Sequence, residues 1–304
     1  MIEKQIAVLL LAFGGPASFE EVEPFINNVT GGKISKDKIA EVSKRYKMIG
    51  GKSPLLEITQ KQAKALEDNL NKNENRFSVF VGMRYWHPFI ADTLKIISSK
   101  NINRIIVLPM TPYYSRISTE GYFNDFTKSL SQFDNKINYT FIKSFHKQPL
   151  FIKAFSNLII EEKNKFSDKC PEIIFSVHSI PKKFIDEGDP YLSQIKETIE
   201  TIINKTGITK GHLAFQSKST SPVEWLGPDV SLVLEKIKAS NKKDVLLVPV
   251  GFVSDHIETL YDIDILYKNE ALRLGLNFRR TPSLNIDPIF ISSLEELIKE
   301  YLGL

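Results

Sequence analysis

An apolar run, Ile6–Phe13, halted at Gly14-Gly15-Pro16, sets the first limit on what this chain can become. A run with no polar alternation suits a strand covered on both faces, as in a parallel sheet packed between helices. Comparable runs predict strands at Phe77–Met83, Arg104–Leu108 and Tyr139–Ile142, then at Glu172–Ser176, His212–Gln216, Asp244–Pro249 and Leu276–Phe278. Between them lie stretches with helical spacing. Ser18 before Glu20 and Glu21 marks one helix start, and Pro54 opens a second helix reaching about Asn71. Further helices are expected up to Ile97 and over Pro149–Lys165, Asp189–Lys205, Asp229–Ala239, His256–Glu270 and Pro288–Tyr301. Arg45–Ser53, RYKMIGGKS, reads as a glycine-centred loop, and Tyr113–Tyr122 as a polar-aromatic segment.

Strands alternating with helices mean βαβ units and a parallel sheet. The halves also echo each other. Val107–Ser115, VLPMTPYYS, has the layout of Leu247–Asp255, LVPVGFVSD: strand, proline, then a loop that opens a helix. The expected fold is α/β: two similar Rossmann-like lobes, each with a central parallel sheet flanked by helices, facing across a cleft. Residues 1–146 form the N-terminal lobe and 147–304 the C-terminal lobe, with the last helix packing back on the first lobe.

Composition narrows the function. The chain has 304 residues, and its net charge of +4 is too weak to argue for nucleic acid. A single cysteine, Cys170, excludes an intrachain disulfide and a cysteine-based zinc site or cluster within these residues. That usage fits a reducing compartment, so a cytoplasmic location is expected. Apolar runs are too short to span a bilayer, so membrane contact, if any, is peripheral. The glycine pairs at 14–15 and 50–51 give neither a dinucleotide fingerprint nor a P-loop, and Ser179 lacks a nucleophile elbow.

Two stretches carry chemistry. Ile173–Pro181, IIFSVHSIP, delivers His178 at the carboxyl end of a strand, where open α/β sheets bind ligands. A histidine there is either a local turn residue or a group that ligates metal or takes a proton. Val248–Asp264, VPVGFVSDHIETLYDID, places Glu258 and Asp262 four apart on one helix face. Such a pair either lies on a solvated acidic face or binds a hard cation and relays protons. His256, two residues from Glu258, points away and reads as structural. Trp225, in the polar loop Gln216–Pro228, either plugs a core gap or offers a platform to a flat ligand. Arg84, Tyr85, Trp86 and His87 follow another strand and either pack or hold carboxylate arms.

Together these motifs resemble the ferrochelatase family. The matching stretches are LLLAFGGP (9–16), RYKMIGGKSPL (45–55), GMRYWHPF (82–89), LPMTPYYS (108–115), SVHSIP (176–181), GDPY (188–191), FQSKSTSPVEWLGPDV (215–230) and VPVGFVSDHIETLYDID (248–264), in the family's order. The resemblance implies insertion of Fe(II) into a porphyrin, protoporphyrin IX or coproporphyrin III, in haem biosynthesis. It implies that His178 and Glu258 are the catalytic and metal-binding residues and that Asp262 lies on a proton or metal path. Leu266 stands where relatives often carry a further acidic residue, so that ligand for an outer metal site is missing. Phe13, Arg45, Ser53, Tyr113 and Trp225 are the implied porphyrin contacts. Phe13 replaces a tyrosine that ligates iron in many coproporphyrin-type relatives, and phenylalanine cannot do so. The partners are therefore a porphyrin and ferrous iron as substrates, with no organic cofactor and no iron–sulfur cluster. Two alternatives stay open: a cobalt chelatase of the corrin pathway, and a non-catalytic two-lobed haem- or metal-binding protein. The sequence leaves the oligomeric state open, and also whether His178 is a ligand or a proton acceptor.

Overall fold

The computed structural model describes residues 5–73, 75–100, 102, 104–133, 137–218 and 222–304. The chain divides into two compact units, Met1–Phe145 with Asn285–Leu304, and His146–Leu284. In the first unit the order is β1 (Ile6–Ala12), α1 (Val22–Thr30), α2 (Lys36–Met48), α3 (Leu55–Leu70), β2 (Phe77–Met83), α4 (Ile90–Ser99), β3 (Arg104–Pro109), α5 (Thr119–Leu130) and β4 (Asn138–Phe141). The second runs α6 (Pro149–Lys163), β5 (Glu172–His178), α7 (Lys182–Asp186), α8 (Tyr191–Thr206), β6 (Gly211–Gln216), α9 (Val230–Ala239), β7 (Asp244–Val248), a π-helix (Glu258–Tyr267), α10 (Lys268–Arg273) and β8 (Asn277–Arg280). The final helix, α11 (Pro288–Leu302), belongs to the first unit.

Each unit has a four-stranded parallel sheet, ordered β2-β1-β3-β4 in the first and β6-β5-β7-β8 in the second. All seven residues of β1 are buried, which accounts for its unbroken apolar run. In the first core Leu9, Leu11 and Val107 pack against Leu94, Phe123 and Phe126. In the second, Ile174, Ala214 and Leu247 pack against Leu234, Ile263 and Tyr267.

The two units repeat one plan in register. Leu9 pairs with Phe80 on one side and Val107 on the other; Ile174 pairs likewise with His212 and Leu247. Met83 N donates to Pro88 O (2.7 Å) and Phe215 N to Pro228 O (2.8 Å). Ile142 N reaches Val107 O, and Thr281 N reaches Leu247 O, both at 3.0 Å. The helices match in length as well: α3 and α8 have 16 residues, α4 and α9 have 10, α6 and α11 have 15. Helices α6 and α11 both start on proline behind a side-chain cap, Gln148 and Asp287. Here the chain trades pieces. Helix α6, which follows β4, packs on α8, whereas α11, which follows β8, packs on α3.

Four local expectations are corrected. Strand β5 runs to His178 rather than stopping at Ser176. Arg45 lies inside α2 and not in a loop, and the segment Tyr113–Tyr122 feeds into α5. The stretch His256–Glu270 is not a continuous α-helix. From Glu258 to Tyr267 it winds as a π-helix, whose wider turns are closed by i→i+5 bonds, before tightening into α10.

Candidate functional site

In a parallel sheet whose chain goes out on one side of the first strand and returns on the other, the loops leaving the two central strands part and open a crevice. In the second unit those loops follow β5 and β7. His178 ends β5 where the first loop begins, and the second loop leads to Glu258 at the start of the π-helix. Gly251 makes their approach possible. A Cβ there would lie 3.0 Å from Val177 Cα, and its N–H donates to Ser176 O at 3.2 Å.

His178 is fixed from several directions. Tyr191, from the GDPY motif, donates its hydroxyl to His178 O at 2.8 Å, and Asp189 Oδ1 in turn accepts from Tyr191 N at 2.9 Å. The ring Nδ1 lies 2.5 Å from Ser179 O. A carbonyl only accepts, so Nδ1 carries the proton and, in the neutral ring, Nε2 presents its lone pair. Nε2 faces Glu258 Oε1 at 3.7 Å, beyond hydrogen-bond reach. The imidazole and carboxylate thus stand opposite each other without closing on each other. Glu258 Oε2 is buried and has no hydrogen-bond partner among the described residues. Gln216, the register partner of His178, donates Nε2 to Glu258 O at 3.1 Å, so one residue touches both sides of the pair.

Asp262 is 7% exposed and accepts from Ser217 Oγ at 2.7 Å. Ser217 holds this position with φ +58°, a left-handed conformation costly for a residue with a Cβ. Below lies Tyr267. Burial, and then the charges of Asp229, Asp262, Glu270 and Glu258, push its hydroxyl well above the ordinary tyrosine value. Both site carboxylates therefore act on the same buried hydroxyl.

Trp225 comes back alongside the segment that follows β5. Leu226 N donates to Ile180 O (3.0 Å), Lys182 N to Glu224 O (2.8 Å), and Ser179 Oγ to Leu226 O (2.8 Å). The indole Nε1 is buried with no hydrogen-bond partner among the described residues. Ser219, Thr220 and Ser221 of the same loop lie outside the described residues.

The other implied contacts sit in the first unit. Phe13 is exposed and stacks at a tilt on Tyr85, centroids 4.6 Å apart. Gly14 takes φ +99°, and a Cβ there would meet Trp86 N at 2.9 Å. Arg45 pairs with Glu41 on its own helix at 2.5 Å. Ser53 is buried, its Oγ accepting from Leu55 N at 3.3 Å. Tyr113 is enclosed, 1% exposed, so any influence on a ligand would act from behind the surface. Trp86 donates to Glu21 Oε2 (2.8 Å) and Arg84 pairs with Asp125 (2.8 Å), the packing alternative for that motif. His256 Nδ1 bonds Ser254 O at 3.0 Å, and its ring packs on Phe252.

Sequence reasoning did not single out Gln216, Ser217, Asp264 or Arg280. Gln216 and Ser217 lie in a noted motif, but only the sheet register shows what they meet.

A family profile described as Ferrochelatase matches residues 5–302. The chain is 41% identical over 314 residues to the ferrochelatase of Geotalea uraniireducens (strain Rf4), covering 97% of each protein. It is 40% identical over 318 residues to that of Geobacter metallireducens, covering 98% of this chain and 99% of that one. Among solved structures it is similar in fold to SirB from Bacillus subtilis with Fe3+, with a TM-score of 0.59, 12% identity, and 97% and 95% of the two chains covered. A similar likeness links it to CbiX, the terminal enzyme for biosynthesis of siroheme in denitrifying bacteria, with TM-score 0.57, 10% identity and 97% and 98% covered. With the profile spanning nearly the whole chain and relatives this similar, the chain belongs to the ferrochelatase family.

Proposed function

We propose that this ferrochelatase, an enzyme of haem biosynthesis that inserts iron into a porphyrin, works through His178 and Glu258. The observation that carries the reading is their pairing at the crevice between β5 and β7, with Nε2 and Oε1 3.7 Å apart. Metallation exchanges two pyrrole N–H protons for one Fe(II). The His178 Nε2 lone pair, at the end of β5, and the Glu258 carboxylate, at the start of the π-helix, supply a base and a metal ligand. A proton taken at Glu258 passes next to Asp262, whose Oδ2 is held by Ser217. The buried, unpartnered Glu258 Oε2 supports this reading, because it leaves an acceptor oxygen open to a proton or a cation.

Trp225 and Phe13 are proposed as contacts of the flat ring, with Tyr113 supporting from behind. Arg45 and Ser53 are proposed for its propionates, for which Arg45 would exchange Glu41 for a substrate carboxylate. Iron is a substrate here, and the chemistry calls for no organic cofactor. With Cys170 the single cysteine, these residues cannot supply a four-cysteine iron–sulfur site. No described helix is long and apolar enough to cross a membrane. We place the protein in the cytoplasm, with any membrane contact peripheral.

The test mixes protein, Fe(II) and porphyrin without oxygen and follows the absorbance spectrum. Multiple turnovers support the reading, and stoichiometric binding without turnover would overturn it. Protoporphyrin IX and coproporphyrin III run in parallel identify the substrate. Phe13, which offers no oxygen to a porphyrin-bound iron, favours protoporphyrin IX.

A further inference from the structure

Nothing in the His178–Glu258 pair itself fixes its 3.7 Å gap, because no hydrogen bond joins the two side chains. The gap depends on how the π-helix is held against the sheet. One anchor is Gln216 on the carbonyl of Glu258. A second is Arg280, the last residue of β8.

Arg280 Nε and Nη2 bond Asp264 Oδ1 and Oδ2 at 2.6 and 2.8 Å, a two-pronged grip. Nη2 also reaches Asp255 Oδ1 at 3.2 Å, and Nη1 the carbonyl of Thr281 at 3.1 Å. Asp255 Oδ1 accepts further from Ser283 Oγ (2.7 Å) and Thr259 Oγ1 (3.2 Å). The Arg280 side chain is 13% exposed. Asp255 precedes Glu258 and Asp264 follows it, so one side chain grips the chain on both sides of the carboxylate. Arg280 is also tied to His178 through the sheet. Leu247 pairs with Arg280 on one side and with Ile174, on the strand of His178, on the other.

We propose that Arg280 is a positioning residue for Glu258, referring the π-helix to the same sheet that carries His178. The proposal rests on the reading that Glu258 acts in metallation. Arg280 acts on Glu258 through Asp255 and Asp264 and not by a bond of its own.

A cavity of about 430 Å³ opens on this grip, lined by Asp255, Asp264, Lys268 and Arg280 among others. It gives free guanidinium a route to the place that Arg280→Ala would vacate. Arg280→Ala is expected to lower kcat about 10²-fold, the scale of a 1 Å misplacement, with little change in porphyrin KM. Millimolar guanidinium should restore part of that loss, and Arg280→Lys, which keeps the charge without the fork, should fall between. The double variant Arg280→Ala with Glu258→Gln should be no slower than Glu258→Gln alone, because residues acting through one another are not additive. Additive losses, or kcat in Arg280→Ala within about twofold of the parent, would overturn the role. If Arg280→Ala fails to give a cooperative melt, Asp264→Asn is read by the same criteria. Full activity in Glu258→Gln would sink the assignment of Glu258 itself. An inactive Glu258→Gln beside an additive or silent Arg280→Ala would sink the positioning role alone.

Discussion

Four residues beyond Leu9 in the first sheet stands Phe13; four beyond Ile174, at the same register in the second, stands His178. Eleven beyond their shared partners, Val107 and Leu247, stand Ser118 and Glu258. The surroundings match more closely than the residues. Thr119 and Thr259, which follow, are both fully buried, and each hydroxyl accepts from a backbone N–H of the preceding turn, Ser115 N at 3.2 Å and His256 N at 3.0 Å. The fold therefore supplies the same kind of crevice twice, and the chain equips one with a base and a carboxylate. The other has an exposed aromatic against Tyr85. Placement of reactive groups comes from a repeated backbone, and reactivity from a few substitutions on it.

If that contrast is right, His178→Ala and Glu258→Gln should each cut kcat by about 10²–10⁴-fold, the usual contribution of a general base. Ser118→Ala at the counterpart position should change it less than about twofold. Anaerobic metallation rates compare the three, and a comparable loss in Ser118→Ala would break the asymmetry.

Next in size is Asp262→Asn. It keeps a partner for Ser217 but removes the charge, and kcat should fall about tenfold, equivalent to about 1.4 kcal/mol. The same assay decides it.

Thr119→Val and Thr259→Val sharpen the comparison through stability. Each leaves buried backbone groups unpaired and should cost about 1–3 kcal/mol in urea unfolding. Only Thr259→Val should also slow turnover, since Glu258 precedes it directly.

The smallest effect concerns pH. Burial holds His146 below the ordinary histidine value, opposed by its contact with Glu197, which also pairs with Lys147. A depressed pKa means that the folded state binds the proton less readily than the unfolded one. Stability is therefore full above about pH 6.5 and is lost as pH falls below that value. Melting temperatures from pH 7.5 downward should show this slope, and His146→Gln should flatten it.

The strands were legible because buried parallel strands read as unbroken apolar runs, as Ile6–Ala12 does. Helix α2 was not, since Ile39 and Tyr46 are its only buried side chains and lie two turns apart among charges. In α5 the buried Tyr122, Phe123 and Phe126 are interleaved with polar residues and follow a proline-rich loop. The π-helix was hidden for a different reason. Three of its four buried residues, Thr259, Ile263 and Tyr267, recur every four positions, with Asp262 beside them, a spacing compatible with an α turn and with the wider π turn. His178, Glu258 and Asp262 stand out as candidates because each sits in a dense local motif. Arg280 does not: its carboxylate partners lie 16 and 25 residues away, and only the sheet brings them together.

The exchange of α6 and α11 has a consequence for the order in which the protein comes into being. A ribosome finishes all of β1 to β4 long before it makes Asn285–Leu304, yet α3 waits for α11 to cover it. The second unit, by contrast, is a continuous stretch, His146–Leu284, and has every element in hand once its last strand emerges. The half of the chain made first is therefore the half that is completed last.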